Sequence, residues 1–120
     1  MMLPMSSIDA CLAGIAKVNE RILEQPEQER RKHIRERSVR VRVPDLDTVF
    51  DMRLTQDGLV DVTHRPDDEA APRAQVVVTV DSDDLVDLAE DRMDYARALF
   101  TRRVRVDASV SDLLRMRKLI

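Results

Sequence analysis

The chain has 120 residues, of which 43% are hydrophobic, 36% charged and 2% aromatic, with a formal net charge of −3. That length fits a single domain over residues 1–120, able to bury about 65% of its unfolded surface without staples, with residues 1–6 ahead of its ordered elements. Its 2 glycines exclude a P-loop or a G-x-G-x-x-G phosphate loop, and its single cysteine excludes an internal disulfide and a thiolate zinc cluster.

Ser6-Ser7 offers a cap, and Ile8, Cys11, Leu12, Ile15, Val18 and Ile22 follow at helical spacing with one apolar stripe. Pro26 ends this helix or restarts it one turn on, where EQERRKHIRE keeps a helical composition. The period then changes to two. Val39, Val41 and Val43 alternate with Ser38, Arg40 and Arg42 as a half-buried strand. Turn chemistry at Pro44-Asp45-Leu46-Asp47 leads to a second strand with Phe50, Met52 and Leu54 on one face. Gln56-Asp57-Gly58 is a hairpin turn, followed by a third strand through Leu59–Thr63. The β-branched run Ala74–Val80 is the strongest strand signal and suits a sheet interior.

At Asp81-Ser82-Asp83-Asp84 a short polar side chain is expected to cap a helix carrying Leu85, Leu88 and Ala89. After a break near Arg92, a short helix holds Met93, Tyr95, Ala96, Leu99 and Phe100. Val104 and Val106 mark a fifth strand, and Val110, Leu113, Leu114 and Met116 a terminal amphipathic helix. Four sequential antiparallel strands, then helices, then one returning strand is an α+β layer protein.

Charge is segregated along the chain. Arg30–Arg42 holds seven basic residues against Glu36, and Asp81–Asp94 holds seven acids against Arg92. No aromatic residues interleave with the arginines for base stacking, and the chain is acidic overall, so nucleic acid is not an expected partner. The basic run is compatible with transient contact to an anionic membrane, although a solvated surface is the plainer account. Arg40, Arg42, Asp51, Arg53 and Asp61 would share the sheet's solvent face and pair across strands, for a few tenths of a kcal/mol each.

Little in the sequence carries chemistry. Asp81, Asp83 and Asp84 lack the glycine and the later bidentate glutamate of an EF-hand loop, so no metal is expected there. His33 and His64 stand without ligand spacing, and Cys11 lies on the apolar stripe as a small hydrophobe. No serine elbow and no isolated carboxylate pair is present, so neither catalytic residues nor a cofactor are expected. No run reaches about 18 apolar residues. No Lys or Arg precedes Lys17, so neither a membrane span nor a secretory leader is expected and cytoplasm is the default.

The stretch from Val76 to Leu114 resembles the second half of the sterol carrier protein type 2 domain. There a β-branched strand ends in an acidic or serine-containing cap before a D-L-x-x-L helix. A second helix follows, like Asp94–Phe100 here, and a basic strand of the R-V-R-V-x-A-S kind then leads into a last helix. The upstream order fits as well, so the resemblance covers roughly residues 7 to 120. Two places depart from it: where that family commonly has glycine, this chain reads Glu90-Asp91-Arg92 and Thr101-Arg102-Arg103. The terminal helix also stops early, at Ile120, which would leave a cavity more open or smaller.

The resemblance implies a five-stranded, mainly antiparallel sheet covered by helices, with an apolar tunnel for a fatty acyl chain, sterol or related lipid and no catalysis. Met52, Leu54, Leu85, Leu88, Met93, Leu99, Phe100, Leu113 and Met116 are the expected ligand contacts. Two other readings stay open: an interaction or homodimerisation module on the same fold, and an enzyme acting on a hydrophobic substrate.

Overall fold

The computed structural model describes residues 7–68 and 72–117, with side chains up to Arg115; Met116 among the expected contacts therefore lies outside the described side chains. The elements follow the expected order: α1 (Ile8–Glu24), α2 (Glu27–His33), β1 (Arg37–Val43), β2 (Thr48–Thr55), β3 (Gly58–Pro66), β4 (Val76–Val80), α3 (Ser82–Ala89), α4 (Tyr95–Phe100), β5 (Val104–Asp107) and α5 (Val110–Arg117). Ser7 caps α1, its hydroxyl accepting from the Ala10 N–H at 3.1 Å.

The strands form one sheet in the order β3-β2-β1-β4-β5. Here the expectation of four sequential antiparallel strands is corrected. β4 does not join β3 but runs parallel to β1, with Val39 opposite Val76 and Val41 opposite Val78. The parallel ladder opens on a reciprocal pair of side-chain bonds. The Ser38 N–H donates to Gln75 Oε1 at 3.0 Å, and the Gln75 N–H donates to Ser38 Oγ at 2.9 Å. Alternation alone cannot distinguish parallel from antiparallel partners, whereas the β-branched character of β4 did mark it as interior. The other strand pairs are antiparallel.

Register sorts the two faces. Val39, Val41 and Val43 pair with Met52, Phe50 and Thr48, and on the far side Val78 and Val80 pair with Val106 and Val104. This aliphatic face meets the helices. The opposite face carries a charged ladder across three strands, in which Asp51 accepts from Arg40 Nε at 2.8 Å and from Arg65 Nε at 3.0 Å. Asp61 does not join it. The register shifts between Asp51 and Arg53, and Asp61 takes φ 56° there, as the extra residue of a bulge does.

Two helix ends show how this chain turns without glycine. After α3, Asp91 adopts φ 63°, and after α4, Arg102 adopts φ 62°. Behind α3 the Arg92 N–H reaches Asp87 O at 2.8 Å and the Asp91 N–H reaches Leu88 O at 3.3 Å. Behind α4 the Arg103 N–H reaches Ala98 O at 2.9 Å and the Arg102 N–H reaches Leu99 O at 3.2 Å. Both are Schellman terminations, built with a left-handed residue where glycine is usual. The start of α3 departs from expectation too. Asp81 makes no side-chain capping bond. Instead Asp45, from the turn before β2, accepts from the Ser82 N–H at 2.9 Å.

The left-handed arginine identifies a stabilising change. Arg102→Gly should raise stability by about 0.5–1 kcal/mol in urea unfolding, the steric penalty removed outweighing the added chain entropy. Gly58 is the converse. It holds φ 97°, and a Cβ there would lie 2.2 Å from Asn19 Oδ1, the acceptor for the Leu59 N–H. Gly58→Ala is expected to lower stability by about 1–3 kcal/mol in the same assay.

Candidate functional site: an aliphatic cavity between sheet and helices

The layer between sheet and helices is filled at one end and open at the other. At the filled end Cys11, Val43 and Phe50 are fully buried in the core cluster. Burial raises the Cys11 thiol to about pKa 11, with the charges of Asp45 and Asp83 adding to it, so it stays protonated at neutral pH. Toward the other end, where α1 finishes and β1 begins, a cavity of about 220 Å³ remains, partly open to solvent.

Its floor is the valine face of the sheet, including Val39, Val41, Val76 and Val78. Ile15, Val18 and Ile22 of α1 and Leu85 and Leu88 of α3 close it from above. An apolar void of that volume costs up to about 5 kcal/mol on the scale of emptied protein cores. That is comparable with the whole stability of a small domain.

Of the nine expected contacts, Met52, Leu54, Leu85, Leu88 and Leu99 lie on the wall. Met93 packs against the core cluster. Phe100 is 90% exposed, because the six-residue α4 turns Tyr95 and Ala98 inward and leaves its last residue on the far side; Leu99, although on the wall, is itself 47% exposed. Leu113 is 39% exposed. The reason lies in α5, which presents a polar face to the protein. Asp112 is buried and accepts from Arg37 Nε at 3.0 and 3.1 Å, while Val110 and Leu114 stand 74% and 56% exposed.

The sheet valines and the α1 residues of the wall were absent from the expected set. Their signal was present, since Val39 and Val41 share the strand parity that faces Met52 and Leu54 inward.

Charged groups gather on the wall as well. Arg21 donates to Leu88 O at 3.3 Å, to Ala89 O, and to Tyr95 Oη at 3.4 Å, so it caps the carbonyl end of α3 from α1. Burial pushes the Tyr95 hydroxyl up, against the pull of Arg21. Burial opposes ionisation of Asp112. The bonds from Arg37 and Ser109 and the charges of Arg37 and Arg115 outweigh it and hold the carboxyl below its ordinary range. His33 pairs with Glu29 at 3.2 Å, and His64 tilts against Phe50 with ring centroids 6.0 Å apart. Among the described residues no cluster of His, Cys, Asp or Glu could hold a metal ion, and no helix is long and apolar enough to cross a membrane.

Three acids of the Asp81–Asp94 run are paired. Glu90 meets Lys17 at 2.6 Å, Asp87 meets Arg92 at 3.0 Å, and Asp84 meets Arg103 at 3.7 Å.

Because the folded pKa of Asp112 is depressed, its stabilising effect is present above the unfolded value and fades as pH falls through the folded one. Below about pH 4 the protection factors of the α5 amides, corrected for the pH dependence of intrinsic exchange, should fall below their values at pH 7. Asp112→Asn should give the reduced protection at pH 7 already, read by amide hydrogen exchange over residues 110–115.

Comparison with known proteins places this geometry. The model of the SCP-2 sterol transfer family matches residues 15–120. No curated protein matches the chain. Among solved structures, sterol carrier protein domain 2 of Helicoverpa armigera superposes with a TM-score of 0.63 at 14% identity, covering 98% of this chain and 91% of that one. Sterol Carrier Protein 2 Like 2 from Aedes aegypti gives 0.62 at 12% identity, over 93% and 97%. The stereoselective inverting sec-alkylsulfatase Pisa1 from Pseudomonas sp. gives 0.55 at 20% identity over 79% of this chain, which spans only 14% of that enzyme's length. At these identities the superpositions establish the fold.

Proposed function

Since the chain belongs to the SCP-2 sterol transfer family, we propose that it binds, and passes on, an apolar ligand such as a fatty acyl chain, sterol or related lipid, without chemistry of its own. The observation that carries this reading is the aliphatic cavity of about 220 Å³ between sheet and helices. Its physics needs no reacting group. Each methylene moved from water into such a wall gains about 0.8 kcal/mol, so ten supply a gross ~8 kcal/mol, micromolar on the affinity scale. Met52, Leu54, Leu85, Leu88 and Leu99 are the proposed contacts, joined by the valines of the floor. Met52 adds a flexible side chain that accommodates ligands of differing shape. A cytoplasmic location fits this role.

A second reading has one specific observation behind it. Phe100 of α4 and Val110 and Leu114 of α5 are large apolar side chains left to solvent, as on surfaces that meet a partner, a second copy included. The same fold forms a small part of the alkylsulfatase, so a role beside a partner enzyme is compatible with both readings.

Filling the cavity tests the first reading. Val78 lies at the centre of the floor, opposite Val41 and Val106. Val78→Phe should weaken binding of a fluorescent fatty acyl probe at least tenfold, with the thermal midpoint held or raised. Unchanged affinity in a folded variant would place the ligand elsewhere.

A further inference from the structure

The turn from α4 into β5 carries positive charge without acids. From Tyr95 through Val106 there are four arginines (Arg97, Arg102, Arg103, Arg105) and no Asp or Glu, in a chain whose net charge is −3. Arg103 pairs with Asp84 of α3 at 3.7 Å. Arg105 sits on β5 between the inward Val104 and Val106, so it belongs to the outer face of the sheet. Arg97 and Arg102 are exposed, and neither guanidinium bonds or pairs with a described residue.

Phe100 stands between these two. It follows Arg97 by three residues, so both share one face of α4, and it is 90% exposed, with Leu99 beside it at 47%. One exposed ring is ordinary by itself. Its neighbour is not. Arg102 holds φ 62°, a left-handed position in which glycine would end α4 without steric cost. Since its guanidinium bonds nothing in the fold, the arginine gives the fold nothing that glycine would not. Backbone strain of this kind gathers where proteins bind.

Building on the reading of α4 as a partner surface, and not on what fills the cavity, we infer that the Phe100 turn docks an acidic protein partner. The ring enters an apolar socket, and Arg97 and Arg102 meet carboxylates on its rim through paired N–H donors. An aromatic anchor flanked by arginine is the composition in which interface energy concentrates. An anionic bilayer offers the same charge but a weaker hold. One ring and two free guanidiniums bury less apolar surface than an acyl chain, and a single acyl chain anchors only marginally and reversibly. A protein socket instead closes around the ring and strips water from both arginines. Leu99 is also on the cavity wall, so the docked partner stands beside the cavity.

For the test, the full chain is panned against a random peptide library displayed on phage, and clones that also bind Phe100→Ser are discarded. The surviving peptides should hold more Asp and Glu than Lys and Arg, with at least one large apolar residue. Made synthetically, the strongest should bind the native chain about tenfold or more tighter than either Phe100→Ser or Arg102→Gly, and weaken as salt is raised. Arg102→Gly is the sharper variant, because it is expected to be more stable than the native chain, so its weaker binding would not come from unfolding. A fluorescent fatty acyl probe should bind all three forms alike. If it binds none of them while acidic peptides do, the cavity reading falls and this one stands. If no Phe100-dependent peptide emerges, if the survivors are neutral or basic, or if Arg102→Gly binds them undiminished, the inference is overturned. Cosedimentation with phosphatidylglycerol vesicles that Phe100→Ser abolishes, without any acidic peptide, overturns it in favour of a bilayer.

Discussion

The parallel pairing of β1 with β4 is the arrangement on which the rest of the structure depends. It sets the valines of two strands side by side at the middle of the sheet, with β2 and β5 flanking them. A parallel pair needs a long crossover, and the β2–β3 hairpin with the loop after it provides the span. Consequently β1 becomes central, its inward face turns aliphatic, and its first residue, Arg37, enters the helix layer as the arginine that holds Asp112 of α5. The reciprocal bonds of Ser38 and Gln75 start that ladder one residue from where the cavity begins.

From this pairing follows an uneven layer between sheet and helices. Only three aromatic residues exist in the chain, and Phe50 is spent at the filled end while Phe100 points to solvent. Valine side chains are short and stiff and cannot reach across to α1 and α3. Over the valine floor the gap stays open, with Tyr95, the third aromatic residue, on its wall. Arg21 ties α1 to the end of α3 beside it. The left-handed Asp91 and Arg102 preserve both helix endings that border the cavity without a single glycine. Stability given up at these points is consistent with a site kept ready for a ligand.

Much of this was legible in the residues themselves. Alternation placed β1, β2 and β5, the hairpin turn placed β3 and the β-branched run placed β4, while the 3.6-residue period placed α1 and α3, each of which buries one face. The family resemblance, carried by Val76–Leu114, matched what the family model and the superpositions show. What was not legible depends on distant partners. Nothing near Asp81 signals that Asp45 serves as the cap of α3. Nothing in Val110–Arg117 reveals that its polar side turns inward, since that choice is made by Arg37, 75 residues away in sequence. In helices of six or eight residues the apolar positions fit more than one face, so Phe100 and Leu113 could not be sorted from Leu99. The arginine run was visible as charge, but its position at the mouth of the cavity exists only in the fold.

The central claim is that the void over the valine floor is where an apolar chain lies. Isotope-filtered NMR answers it most directly, detecting contacts between an unlabelled dodecyl chain and protein labelled on its Val and Leu methyl groups. Contacts are expected to Val39, Val41, Val78, Leu85 and Leu88, with none to Val49, which is buried on the opposite face of the sheet. Contacts confined to Val110, Leu113 and Leu114, with the floor valines silent, would contradict the account.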